Sequence, residues 1–129
     1  MPRDENIPHG ELTIRTLAMP ADTNPRGDIF GGWLMSQMDI AGGVASSQRA
    51  HGRTVTVAVE GMVFHEPVKV GNVLCCYTKI LNVGTTSITV AIEAWALNQD
   101  VKSRVRVTEG IFTYVAVDDD GNKRPVPPE

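Results

Sequence analysis

Between Asp28 and Arg49 the chain carries one charged side chain, Asp39, in a segment that is otherwise apolar, small or uncharged. A carboxylate in that setting must be paired, protonated or put to use, because burying it without partners is expensive. Gly31 and Gly32 stand about two helical turns before it. Glycines at a helix start leave the first backbone N–H groups uncovered, and those donors suit an oxyanion. Roughly 10 Å along the axis separates Gly32 from Asp39. Such a pair could hydrolyse an activated acyl group, with Asp39 deprotonating water and the helix start receiving the carbonyl oxygen. A carboxylate merely satisfied by backbone or hydroxyl donors is the competing reading, and spacing does not separate the two. A serine-type triad is disfavoured, since Ser36, Ser46 and Ser47 have no histidine near in sequence.

The element that must position these groups is a helix. Asn24-Pro25-Arg26-Gly27-Asp28 is a turn cluster followed by a long proline-free segment. The pattern predicts a helix over about 32–50, closed by His51-Gly52. On a 3.6-residue period Leu34, Met38, Ala41 and Ala45 share one side, while Trp33, Ile40 and Val44 form a second ridge. A helix apolar nearly all round must be wrapped by other structure, which would place Asp39 well inside. Asp39 falls on the side of Met35, Gly42, Gly43 and Ser46. Each interior glycine costs ~1 kcal/mol relative to alanine, so something should pass close to that face.

The flanking segments read as strands. Residues 11–17 alternate, with Leu12, Ile14 and Leu17 expected inward. Residues 53–60 alternate strictly, placing Val55, Val57 and Val59 on one side and Thr54, Thr56, Ala58 and Glu60 on the other. Gly61 reads as a bulge before Met62-Val63-Phe64. After a connection over 65–72, strands are expected over 73–83 and, beyond a Gly84-Thr85 turn, up to Leu97 with Ile88, Val90, Ile92 and Ala94 on one face. Asn98-Gln99-Asp100 turns again into a last strand over 102–117, with Gly110 as a second bulge. Tight turns imply antiparallel pairing. The expected architecture is α+β: one long helix embraced by a curved antiparallel sheet of about five strands. The edge formed by 53–64 is long and lightly charged, so it should pair with another subunit. The chain divides into a flexible start (1–10), one domain (11–117) and a proline-rich tail (118–129) without a core pattern.

Composition narrows the function further. The 129 residues are 42% hydrophobic and 21% charged with a net charge of -3, which fits one globular domain. No basic run points to nucleic acid. No long apolar run or signal-like start is present, so neither a membrane nor export is expected, and the location should be cytoplasmic. Cys75 and Cys76 are adjacent in a strand, point to opposite faces and read as free, buried thiols. With no C-x-x-C pair and three scattered histidines, no metal or cofactor is expected.

Several stretches carry a family resemblance: Leu17-Ala18-Met19-Pro20, Asp22-Thr23-Asn24, the run from Gly27 through Gly31-Gly32-Trp33 to Asp39-Ile40, His51-Gly52-Arg53, residues 55–64, Val70-Gly71 and Cys75-Cys76-Tyr77. Together they resemble the YciA-type acyl-CoA thioesterases of the hotdog fold, over nearly all of 11–117. The resemblance implies hydrolysis of acyl-CoA to free fatty acid and coenzyme A, by a homodimer assembled into a hexamer as a trimer of dimers. It implies Asp39 as general base or nucleophile, Asn24 as the asparagine that reaches the thioester or its water from the partner subunit, and Gly32 as the N–H donor. Asp28 and Gln37 lie within the motif and are expected in supporting roles, with a helix cap an equal alternative for Asp28. Arg53, Lys102, Arg104 and Arg106 could meet coenzyme A phosphates, and Thr85 or Thr86 could border the pantetheine path. Each is also the kind of residue found solvated at strand ends. Trp33 and Trp95 read as core or interface, and His65 as loop structure.

Two rivals remain. A dehydratase or hydratase on this fold would use a histidine at the helix, and His9, His51 and His65 all lie outside it. A non-catalytic acyl-CoA-binding sensor should carry an added DNA-binding module or lack the acid, and this chain has Asp39. Steady-state turnover separates the sensor from the enzyme.

Overall fold

Alternating β-branched residues after position 53 form four strands, and the stretch that opens with two glycines forms the one α-helix among the described residues. The computed structural model describes residues 7–98 and 103–129. In chain order these are β1 (Glu11–Leu17), a short 3-10 turn (Pro20–Asp22), α1 (Gly31–Ala50), β2 (Thr54–Phe64), β3 (Val73–Val83), β4 (Ser87–Leu97) and β5 (Arg104–Ala116). All neighbours pair antiparallel in the order β1-β3-β4-β5-β2. The chain thus places β1 and β2, which flank the helix in sequence, at opposite edges of the sheet.

The core lies between one face of the sheet and one stripe of α1. Ile88, Val90, Ile92, Ala94 and Ala96 of β4 meet Leu34, Met38 and Ala41 of the helix, with Phe112, Tyr114 and Ala116 of β5 beside them. The second helical ridge is not wrapped as expected. Ile40 and Val44 are exposed, beside a β2 edge whose Val55, Val57 and Val59 are exposed too.

Bulges change side-chain parity at several places along the strands. In β1 the register shifts between Leu12 and Ile14, so Ile14 packs on the core while Leu12 and Leu17 turn to the outer face and stay about half exposed. In β2 the register shifts between Thr56 and Ala58, which puts Val59 opposite Phe112 and Thr56 opposite Tyr114 on the helix side. A second shift between Glu60 and Val63 surrounds Gly61, whose φ of 64° fits the expected bulge. Gly110 is not a bulge: it pairs in register with Ile92, and the irregularity of β5 lies nearer Val107, where Ala94 faces Thr108 and Trp95 faces Arg106. A Cβ at 110 would displace the Met62 sulfur.

The tail is fastened rather than loose. The Arg124 N–H bonds to the Ala116 carbonyl and that of Val126 to Thr85, while Val126 packs against the core. Arg124 Nη2 donates to the Ala50 carbonyl at 2.9 Å and its Nε to Val117 at 3.1 Å. These bonds close the end of the helix, where His51 takes the left-handed conformation and a Cβ on Gly52 would lie 2.6 Å from the Arg124 guanidinium. At the other terminus, the His9 ring and N–H both meet the Glu93 carboxylate, and residues 1–6 lie outside the described residues.

Candidate active site

Asp39 projects from the middle of α1 at the border between the buried stripe and the open surface. It is half-buried, a correction to the deep burial expected from the helix pattern. The reason is topological: the strand beside it, β2, is an edge strand, so the helix is covered on one flank only. Thr56 Oγ1 donates to Asp39 Oδ1 at 2.6 Å, and the Tyr114 hydroxyl donates to the same oxygen at 3.0 Å. Tyr114 also lies 3.0 Å from the Asp39 backbone carbonyl. Oδ2 has no hydrogen-bond partner among the described residues. The two donors are a direct cross-strand pair, so β2 and β5 present them side by side.

Gly42 explains how Tyr114 can come so close. A Cβ there would meet the tyrosine hydroxyl, its Cζ at 2.6 Å and Ile92 Cδ1 at 2.7 Å. The sequence cue of a glycine on the Asp39 face was sound for Gly42, whereas Gly43 faces open space. Burial first, and the Asp39 carboxylate second, push the Tyr114 hydroxyl well above the ordinary phenol range, so it remains a donor.

The start of α1 is bare. Phe30 takes the N-cap position with no side-chain cap, and Gly32 is exposed on the same helical face as Asp39. Asp28 does not cap the helix. It pairs with Lys69, and its N–H is held by the Asn24 side chain. Asn24 Oδ1 accepts from the N–H groups of Arg26 at 2.9 Å and Asp28 at 3.1 Å, and the Asn24 N–H donates to the Asp28 carbonyl at 2.7 Å. This closed turn leaves the amide nitrogen of Asn24 without a partner among the described residues. No hydrogen bond joins Asn24 to Asp39 within the protomer.

The remaining candidates do not gather around Asp39. Gln37 lies about 200° round the helix from it, on the ridge of Ile40 and Val44. Arg53 and Thr85 are exposed near the closed end of the helix, where their carbonyls accept from Val117 and Val126. Arg104 lies over the buried Trp95 ring at 5.8 Å, and Arg106 pairs with Glu109 at 3.3 Å on the outer face of the sheet. His65 joins the same Glu109 at 2.7 Å. Lys102 falls outside the described residues. Both cysteines are free and buried, and burial pushes the Cys76 thiol up to about 12. No cluster among the described residues could hold a metal ion, and no helix there is long and apolar enough to cross a membrane. A cavity of about 280 Å³ opens beside the helix start between Gly31, Leu34, Phe64 and Val68. A larger one of about 740 Å³ lies near Ala45, Arg49 and Thr78, on the flank of the helix away from Asp39.

Residues 26–103 match the thioesterase superfamily. The acyl-CoA thioester hydrolase YciA of Salmonella typhimurium is 57% identical over 126 residues, covering 95% of each chain. The chain belongs to this family. A hexameric thioesterase from Yersinia pestis shares 58% identity with a TM-score of 0.89, covering 94% of this chain and 98% of that one. A hexameric hotdog-fold thioesterase of Campylobacter jejuni shares 44% with a TM-score of 0.86, covering 92% and 91%. The expected hotdog fold is therefore the observed one. A more distant relative, the acyl-CoA hydrolase of Staphylococcus aureus, is 26% identical over 88% of this chain and 70% of its own, with a TM-score of 0.81, in complex with butyryl coenzyme A and coenzyme A. It is also known as an Asn-to-Ala and an Asp-to-Ala mutant whose positions lie fifteen residues apart. Asn24 and Asp39 have the same separation.

Proposed function

We propose that this protein is a cytoplasmic acyl-CoA thioester hydrolase that releases free fatty acid and coenzyme A with Asp39 as its central acid. The observation that carries the reading is a half-buried carboxylate with one oxygen held by two hydroxyls and the other unpartnered, on the helix face that begins with the bare N–H of Gly32. In the general-base form, Oδ2 of Asp39 takes a proton from water as that water attacks the thioester carbonyl. The oxyanion forms against the Gly32 N–H, and collapse expels the coenzyme A thiolate, which takes up a proton. In the nucleophilic form the same oxygen attacks the carbonyl first and the coenzyme A thiolate leaves and takes up a proton; water then hydrolyses the resulting mixed anhydride to the free fatty acid and regenerates the carboxylate.

Asn24 belongs to the site of a neighbouring protomer, where its unpartnered amide nitrogen can donate to the thioester or its water. The exposed apolar band of Ile40, Val44, Val55 and Val57 supports a homodimer closed across β2, and the hexameric relatives support further assembly. The phosphates of coenzyme A lie far from its thioester, so Arg53, with Thr85 bordering the pantetheine path, and separately Arg104 and Arg106 at the other end of β5, are our candidates to meet them. Asp28 supports the site indirectly through the Asn24 turn, and Gln37 through the helix ridge that faces the neighbour. Residues 11–117 form the catalytic domain, with 118–129 fastened to it.

Free-thiol release from a panel of acyl-CoAs, measured on wild type and Asp39→Ala matched in mass by light scattering, tests this. Wild type turns over and Asp39→Ala loses roughly 10²- to 10⁴-fold. No thiol release at any chain length would bring forward a binding-only protein, and a monomeric mass for an active wild type would overturn the shared site.

A further inference from the structure

We propose that Tyr114 is a positioning residue for this reaction: with Thr56 it pins one oxygen of Asp39 so that the other alone faces the substrate, and residue 42 is glycine to admit it. The inference rests on Asp39 being the central acid. A free aspartate rotates about its last torsion and exchanges its two oxygens, since that torsion is broad and nearly two-fold. Here Thr56 and Tyr114 donate to the same oxygen at 2.6 and 3.0 Å, from adjacent strands, and turning the carboxylate would break both bonds. Tyr114 also touches the Asp39 backbone carbonyl, so it registers the side chain against its own helix turn.

The tyrosine is itself rigid. Its ring stacks on Phe112 with centroids 6.4 Å apart and planes inclined by 14°, and the residue is 1% exposed. The buried hydroxyl stays protonated and so keeps a proton to donate to Asp39. Gly42 completes the arrangement, because any Cβ would push the hydroxyl and Cζ away from the helix.

Tyr114→Phe removes the hydroxyl and keeps the stacked ring. The expected result is a fall in kcat of roughly ten- to hundredfold with KM within about twofold. Thr56→Val should act in the same direction, and Thr56→Ser, which restores a hydroxyl, should recover most of the loss. Gly42→Ala should lower kcat in the same direction while leaving both hydroxyls in the sequence. A lowered melting temperature with unchanged kcat in Tyr114→Phe would make the residue packing only and overturn the proposal. Asp39→Asn measured alongside separates the two levels: if it turns over like wild type, the assignment of the acid fails, whereas a dead Asp39→Asn with a normal Tyr114→Phe sinks the positioning role alone.

Discussion

At its C-terminal end α1 is closed several times over, while at its N-terminal end it is left open. The Ala50 carbonyl receives the Arg124 guanidinium, His51 turns left-handed and returns its N–H to Gln48, and the N–H of Gly52 reaches Ser47. Arg49 is tied to the Pro127 carbonyl at 2.6 Å. At the start, no side chain reaches Phe30, and the acid nearest in sequence, Asp28, is drawn off by Lys69 and Asn24. Both ends carry unsatisfied backbone groups of equal strength. The protein answers those of one end with its own chain and withholds an answer at the other, which is what a site for a developing negative charge requires.

Substitutions at the two ends should therefore fail in different ways. The largest effect belongs to the open end: Gly32→Pro removes one N–H at a position where the first helical turn tolerates proline. Steady-state kinetics should show kcat lower by roughly 10²- to 10³-fold, with thermal stability little changed. Stability lost in step with turnover would mean that the N–H serves the helix and not the oxyanion. At the closed end Arg124→Ala should do the reverse, lowering stability by about 1–2 kcal/mol through three lost guanidinium bonds, read as a drop of several degrees in melting temperature with turnover intact. Gly52→Ala crowds the same guanidinium and should give a smaller drop, of order 0.5 kcal/mol, since a flexible side chain can shift aside. An Arg124→Ala protein as stable as wild type would dissolve the contrast.

The same contrast marks what could be seen in the sequence. The open end was legible because its signal is local: turn residues, two glycines and a lone carboxylate within one helix. β3 matched its expected bounds, as an apolar run set between turn residues, and β4 its expected end and inward face, because β4 alternates along the stretch that meets the core. At the closed end the stop at His51-Gly52 was legible, but the clamp on it was not, since a proline-rich segment has no periodicity and its hold depends on one guanidinium and a few backbone bonds. Thr56 and Tyr114 were missed as partners of Asp39 for a related reason. Thr56 carried no mark beyond β propensity, and a bulge at the neighbouring Val57 disturbed the parity by which strand faces are read. Tyr114 lies 75 residues from Asp39, and its arrival depends on sheet order. The one trace it left was Gly42, a glycine where a helix prefers almost anything else. The helix ridge of Ile40 and Val44 misled in the opposite sense, because a single chain's sequence does not say whether its own strands or a neighbour's will cover it.

The sheet order has a further consequence, for the order in which the molecule becomes complete. β3, β4 and β5 form a meander in which each strand pairs with the next in sequence, so those contacts need only short loops to close. β2 pairs with nothing until β5 exists, and the bond from Tyr114 to Asp39 closes a span of 75 residues. A chain in which that bond has formed has therefore already brought β5 into register with β2 and laid the helix across both. The carboxylate acquires its second donor only once β5 has paired with β2, so a partly folded chain, with hydrophobic surface still open, lacks the arrangement we propose to act on a thioester.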